Sequence, residues 1–167
     1  MKWHLDIIRL KNLKFKNNNF SKTIFELYKS KHDRKVPYEY APKITDCISS
    51  VRYLIEKNTN TTFPFWWIYK IPYLILEENL WDIIKIINYK KIKIFDLLFI
   101  RNKDNVIYKN YKPTHMWVYL WEWKIFQDGS HITKKIITFD ELFKKYNKIS
   151  LIDNYNHYAK KYRPTNS

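Results

Sequence analysis

The sequence predicts an α+β domain. Apolar residues recur at helical spacing in its first half, around residues 24–28 and 48–55. After about residue 91 the period shortens to the alternation of strands, in runs such as 114–120 and 132–138. Helices followed by an antiparallel meander form the α+β pattern. A chain of 167 residues with 46% hydrophobic and 19% aromatic content is long and apolar enough for one packed core. It shows no internal repeat and no Gly/Ser linker, so a single domain over 1–167 is expected.

In chain order, residues 1–20 form a basic lead-in. There Trp3, Leu5, Ile7, Ile8 and Leu10 make a short strand or helix packed on the domain, before the loop Asn17-Asn18-Asn19. Ser21 caps a helix lined by Ile24, Phe25, Leu27 and Tyr28 that ends near His32-Asp33. Pro37 and Pro42 keep 36–44 extended or turning. The next helix carries Cys47 and ends near Lys57. Thr45 is its expected cap, and Ile48, Val51, Leu54 and Ile55 form its apolar stripe. A polar loop spans 58–62. Residues 63–73 hold Trp66, Trp67, Tyr69 and Tyr73, are broken by two prolines and predict an irregular aromatic wall. An amphipathic helix is expected over 77–89, then strands at 92–100, 106–111, 114–120, 124–127 and 132–138. A short helix over 139–146, a strand at 149–152 and a polar basic tail over 155–167 close the chain.

The net charge of +15 favours anionic partners: nucleic acid, an anionic polymer such as that of a cell wall, or a membrane surface. The lysines are spread along the chain, which is the pattern of a solvated surface rather than one dedicated groove. A single cysteine excludes an intramolecular disulfide and a cysteine-rich zinc site. His4, His32, His131 and His157 show no metal-ligand spacing and read as surface residues, so no metal and no cofactor are expected. The first twenty residues lack an apolar signal region. The most apolar stretch, 63–76, is short and contains Pro64, Lys70 and Pro72, so no transmembrane segment is expected. These features predict a soluble monomer, cytoplasmic unless released by lysis or delivered by a phage.

The chemistry gathers on Cys47. In the first turn of a helix, unsatisfied N–H groups and the macrodipole favour thiolate over thiol. A base is supplied by His115, which heads the strand His115-Met116-Trp117-Val118-Tyr119-Leu120. A turn around Trp121 would set Gln127 opposite His115, where its amide fixes the imidazole. Cys47, His115 and Gln127 then stand as nucleophile, base and orienting group.

These residues resemble the NlpC/p60 cell-wall cysteine peptidases. Asp46-Cys47 opening a helix is similar to that family's Asp-Cys-Ser-Gly-Leu. The run Phe95-Asp96-Leu97-Leu98-Phe99-Ile100 resembles its Gly-Asp-Leu-Val-Phe-Phe. His115 at the head of an apolar strand resembles His-Val-Gly-Ile-Tyr-Leu, and Gln127 falls at the family's third polar position, twelve residues on. Pro37-Tyr38-Glu39-Tyr40 is similar to the Pro-Tyr segment upstream of the family's cysteine. The likeness covers about 21–140. It implies a papain-like fold, a cysteine peptidase or amidase acting on peptidoglycan-type peptides, and Tyr38 near the nucleophile as a second oxyanion donor beside the Cys47 N–H. Trp66 and Trp67 are candidate substrate-binding residues. The chain departs from the pattern at Ile48, Phe95, Trp117 and the hairpin Trp121-Glu122-Trp123, where the family keeps Ser or glycine, and these larger residues crowd the expected cleft. Two other readings keep the same residues. One is a basic, aromatic-rich module that binds nucleic acid or an anionic polymer with an inert cysteine. The other is an inactive member of the family with a closed cleft.

Overall fold

The computed structural model describes residues 3–16, 20–34, 36–63, 81–82, 89–102, 113–129, 134–146 and 149–151. The elements are β1 (Trp3–Leu10), α1 (Phe20–Tyr28), β2 (Lys31–His32), β3 (Ile44–Thr45), α2 (Cys47–Asn58), β4 (Trp81–Asp82), β5 (Leu97–Asn102), β6 (Pro113–Trp121), β7 (Lys124–Phe126), β8 (Ile136–Thr138), α3 (Phe139–Lys145) and β9 (Ile149–Leu151). The main sheet runs β4-β1-β5-β6-β7-β8, and β9 lies parallel to the start of β1. Its other pairings are antiparallel. The small β2-β3 pair is parallel and stands apart from the main sheet.

The α+β class is as expected. The N-terminal segment is more central than a lead-in, because β1 pairs along its length with β5 and on its other edge with β9 and β4. Its apolar residues serve both faces of the sheet. Ile8 and Leu10 enter the layer against α1 and α2, and Leu5 and Ile7 the layer against α3. A strand covered on both sides places apolar residues at both parities, as Leu5, Ile7, Ile8 and Leu10 do, with Asp6 and Arg9 between them. β5 and β6 divide in the same way. Leu97, Phe99, Met116, Val118 and Leu120 face α1 and α2, whereas Leu98, Ile100 and Trp117 face α3.

The helix expected over 77–89 does not form at Trp81 and Asp82, which pair as strand with Leu10 and Arg9. The free edge of β1 there presents backbone groups that need partners, and pairing outweighs a weak local helical pattern. The strand expected from Ile92 begins only at Leu97, because 92–96 turns. Asp96 closes that turn by accepting from the Lys93 N–H at 2.8 Å, and Phe95 takes φ 66°. The strand at 106–111, the aromatic wall from Pro64 to Tyr73 and the tail at 155–167 lie outside the described residues.

Two departures from the resembled family are absorbed by the fold. Phe95 keeps the left-handed backbone that glycine adopts without cost, and its ring is buried between Phe15 and Phe20. Glu122 and Trp123 both have positive φ and form the two-residue loop of the β6-β7 hairpin, the signature of a type I′ turn. Ile48, Phe95 and Trp117 are all buried, so their bulk fills the core layers.

Candidate functional site

Cys47 is the first residue of α2, as the sequence predicts, but Thr45 is not its cap. Asp46 is the N-cap. Its Oδ1 accepts from the N–H groups of Ile48 at 3.0 Å and Ser49 at 2.7 Å, and the Ser49 hydroxyl accepts from the Asp46 N–H at 2.8 Å. A reciprocal capping box of this kind contributes about 1 kcal/mol and fixes where the helix begins. Asp46 wins because its carboxylate can accept two N–H groups at the positive helix end.

The expected thiolate does not follow from this position. Burial, then the charges of Asp46 and Asp128, push the Cys47 thiol up to about 12, against a smaller opposing effect from the N–H groups of Cys47 and Ile48. At neutral pH the resting sulfur is a thiol, and attack on a carbonyl requires a base.

His115 and Gln127 are not joined. The two-residue turn at Glu122-Trp123 sets Val118 opposite Phe126 and Tyr119 opposite Ile125. That register brings Gln127 beside Trp117. Gln127 Oε1 accepts from Trp117 Nε1 at 3.1 Å, and its Nε2 donates to Lys134 O at 2.8 Å. The expectation that Gln127 orients His115 is therefore corrected, because Trp117 takes the amide. Replacing Gln127 with Leu strands the buried indole N–H and the Lys134 carbonyl. The expected loss is about 1–3 kcal/mol in urea unfolding, whatever the catalytic outcome.

His115 pairs with Ile100 and packs edge-on to the Trp117 ring, with centroids 4.8 Å apart. It thus has the strand parity of the α3 layer, whereas Cys47 packs against the α2 layer. Its Nε2 is buried without a hydrogen-bond partner among the described residues. Burial, with the charges of Lys145 and His32, lowers His115 to about 4 and keeps the imidazole neutral. A base near 4 faced with a thiol near 12 makes direct proton transfer steeply uphill.

The polar groups gathered near Cys47 are others. Asp128, 1% exposed at its side chain, follows β7 and has the opposite parity to Gln127. Thr45 Oγ1 donates to Asp128 Oδ2 at 2.6 Å. Thr45 Oγ1 also lies 2.8 Å from Ser30 Oγ, whose hydroxyl reaches Leu27 O at 2.7 Å. Lys135 Nζ donates to Leu27 O at 2.8 Å, to Ser30 O at 2.7 Å and to Ser30 Oγ, and so caps the carbonyl end of α1. His32 pairs with Thr45 across the β2-β3 ladder, and its Nδ1 stands 3.4 Å from Asp128 Oδ1. The contact is close but not aligned as a hydrogen bond, and both atoms are buried and otherwise unpaired among the described residues. Burial raises the Asp128 pKa, while Thr45, Lys135 and His32 act to lower it. His32 is therefore not the surface residue its sequence context suggests.

Tyr38 lies along α2 rather than at its start. Arg52 stacks over its ring at 4.0 Å, and burial together with Glu56 raises the phenol to about 12. Arg52 is five residues beyond Cys47, about 7.5 Å along the helix axis, so the structure does not set Tyr38 beside the Cys47 amide. Trp66 and Trp67 lie outside the described residues, as do His131 and His157. Among the described residues no group of three His, Cys, Asp or Glu side chains is placed to hold a metal ion. No helix among them is long and apolar enough to cross a membrane. Compared with models of known protein families and with curated proteins, the chain matches none.

Proposed function

We propose that the protein is a thiol hydrolase of the NlpC/p60 type, a cysteine peptidase or amidase acting on peptidoglycan-type peptides. The observation that carries this reading is the placement of the sole cysteine. It opens a capped helix packed on a mostly antiparallel sheet, with buried Asp128 bonded to Thr45 two residues before it. Two backbone features support the family. Phe95 and the Glu122-Trp123 turn keep left-handed conformations at positions where the family carries glycine, although the residues themselves are large. In the reaction an imidazole takes the thiol proton as sulfur adds to the amide carbonyl, and the Cys47 N–H at the helix start helps hold the oxyanion.

Mass spectrometry of muropeptide digests tests this reading. Wild type is expected to generate a new amine and a new carboxylate at one amide of the stem or cross-link, and Cys47→Ala to generate neither. Digests that are identical for the two proteins would sink it.

A second reading is a catalytically silent basic module. It is favoured by the capture of Gln127 by Trp117 and by the neutral thiol, and the +15 charge suits an anionic polymer. Binding to polyphosphate or nucleic acid that weakens steeply with salt and survives Cys47→Ala, without any cleavage, would establish it.

A further inference from the structure

We propose that His32, whose Nδ1 faces Asp128, is the imidazole that takes the Cys47 proton, in place of the strand histidine His115. This rests on the thiol hydrolase reading above. The parallel ladder sets His32 opposite Thr45, two residues before Cys47. Asp128 spans the pair, with Oδ2 on the Thr45 hydroxyl at 2.6 Å and Oδ1 facing His32 Nδ1 at 3.4 Å. Those two facing atoms have no other hydrogen-bond partner among the described residues. A carboxylate oxygen opposite Nδ1 selects the tautomer that carries its proton there, which leaves the Nε2 lone pair free to act. The His32 side chain keeps 23% of its surface exposed, whereas Asp128 is buried. Asp128 is tied by its Thr45 bond to the residue two before Cys47, and its charge adds to the rise of the thiol. His115, by contrast, is packed against Trp117 with the parity of the sheet's other face.

The step balances without a further reactant. The Sγ–H proton passes to His32 Nε2 as the S–C bond forms and the carbonyl π pair moves to oxygen. Collapse restores C=O and breaks C–N, and the Nε2 proton leaves with the amine. Water then repeats the sequence on the thioester, releasing the carboxylate and the thiol. Asp128 is a positioning residue throughout: it fixes the tautomer and stabilises the imidazolium without taking the proton.

The test compares His32→Gln, His115→Gln and Asp128→Asn in two assays, muropeptide cleavage and iodoacetamide labelling of Cys47 at pH 7. His32→Gln is expected to lower cleavage about a hundredfold and to lose far more than His115→Gln. Asp128→Asn is expected to lose less than His32→Gln and to shift the pH profile. His32→Gly should regain cleavage with added imidazole, which a merely structural histidine would not give. Greater loss in His115→Gln than in His32→Gln, or a folded His32→Gly that imidazole cannot rescue, overturns the proposal while leaving the hydrolase reading intact. Where wild type cleaves nothing, that reading fails and labelling decides the pair alone. His32→Gln labelling at least tenfold slower than His115→Gln supports the assignment, and equal rates overturn it.

Discussion

Arg9→Ala is expected to destabilise the protein by about 3–5 kcal/mol. Arg9 lies on the central strand β1, and its guanidinium grips Asp96 through Nε to Oδ1 at 3.0 Å and Nη2 to Oδ2 at 2.9 Å. Nη2 also reaches Lys91 O at 2.7 Å. The Asp96 side chain is 2% exposed and that of Arg9 14%, so removing the cation strands a carboxylate away from water. Burial raises the Asp96 pKa, while Arg9 and the Lys93 N–H act to lower it. A carboxyl whose folded pKa lies above its unfolded value favours the folded state most at low pH, and that contribution is lost as pH rises through the folded pKa. Arg9→Ala removes a lowering influence and extends this window upward. Urea unfolding should therefore show the largest deficit at pH 7 and a smaller one near pH 4.5. Asp96→Asn should recover part of the loss at pH 7 in the double variant. A deficit below about 1 kcal/mol, equal at both pH values, would show that the pair contributes no more than an exposed one.

The helices at 20–28 and 47–58, the strand at 113–121 and the closing helix were legible because each rests on a local period, although Ser21 lies inside the first helix instead of capping it, and that helix ends at Tyr28, short of His32-Asp33. Cys47 at a helix start was equally legible. The site failed at two points where local reading has no purchase. The first is register. Moving the hairpin centre from Trp121 to Glu122-Trp123 carries Gln127 from His115 to Trp117, and sequence offers no glycine there to reveal the turn type. The second is the pairing of residues distant in sequence. His32 and Asp128 meet only because the β2-β3 ladder brings His32 beside Thr45, and no spacing rule covers a contact across that separation. One signal was present. α2 packs on the face of Met116, Val118 and Leu120, and along β7 that parity belongs to Phe126 and Asp128 rather than Gln127. Assigning α2 to that face would have selected Asp128 as the polar group near Cys47. The expected thiolate failed for an energetic reason: a helix N-terminus favours the anion modestly, while burial beside two carboxylates opposes it more strongly.

Cys47 is expected to react slowly with iodoacetamide even at pH 9. A thiol near 12 holds about a thousandth of its population as thiolate there, whereas an ordinary thiol near 8.5 is mostly ionised. The greater nucleophilicity of a high-pKa thiolate offsets part of this, leaving a net slowing of roughly ten- to a hundredfold against a free cysteine. Two substitutions separate the causes. Asp46→Asn retains a good N-cap residue while removing the charge closest to the thiol in sequence. Asp128→Asn removes the second carboxylate. Each should accelerate labelling by roughly three- to tenfold, Asp46→Asn the more, because its charge is the larger of the two contributions. The measurement is the pseudo-first-order rate followed by intact mass, with unfolded protein in urea as the free-thiol reference. Labelling of native protein as fast as in urea would show that the fold does not hold the thiol protonated. Slow labelling indifferent to both substitutions would assign the protection to burial alone and remove Asp128 from the electrostatics of Cys47.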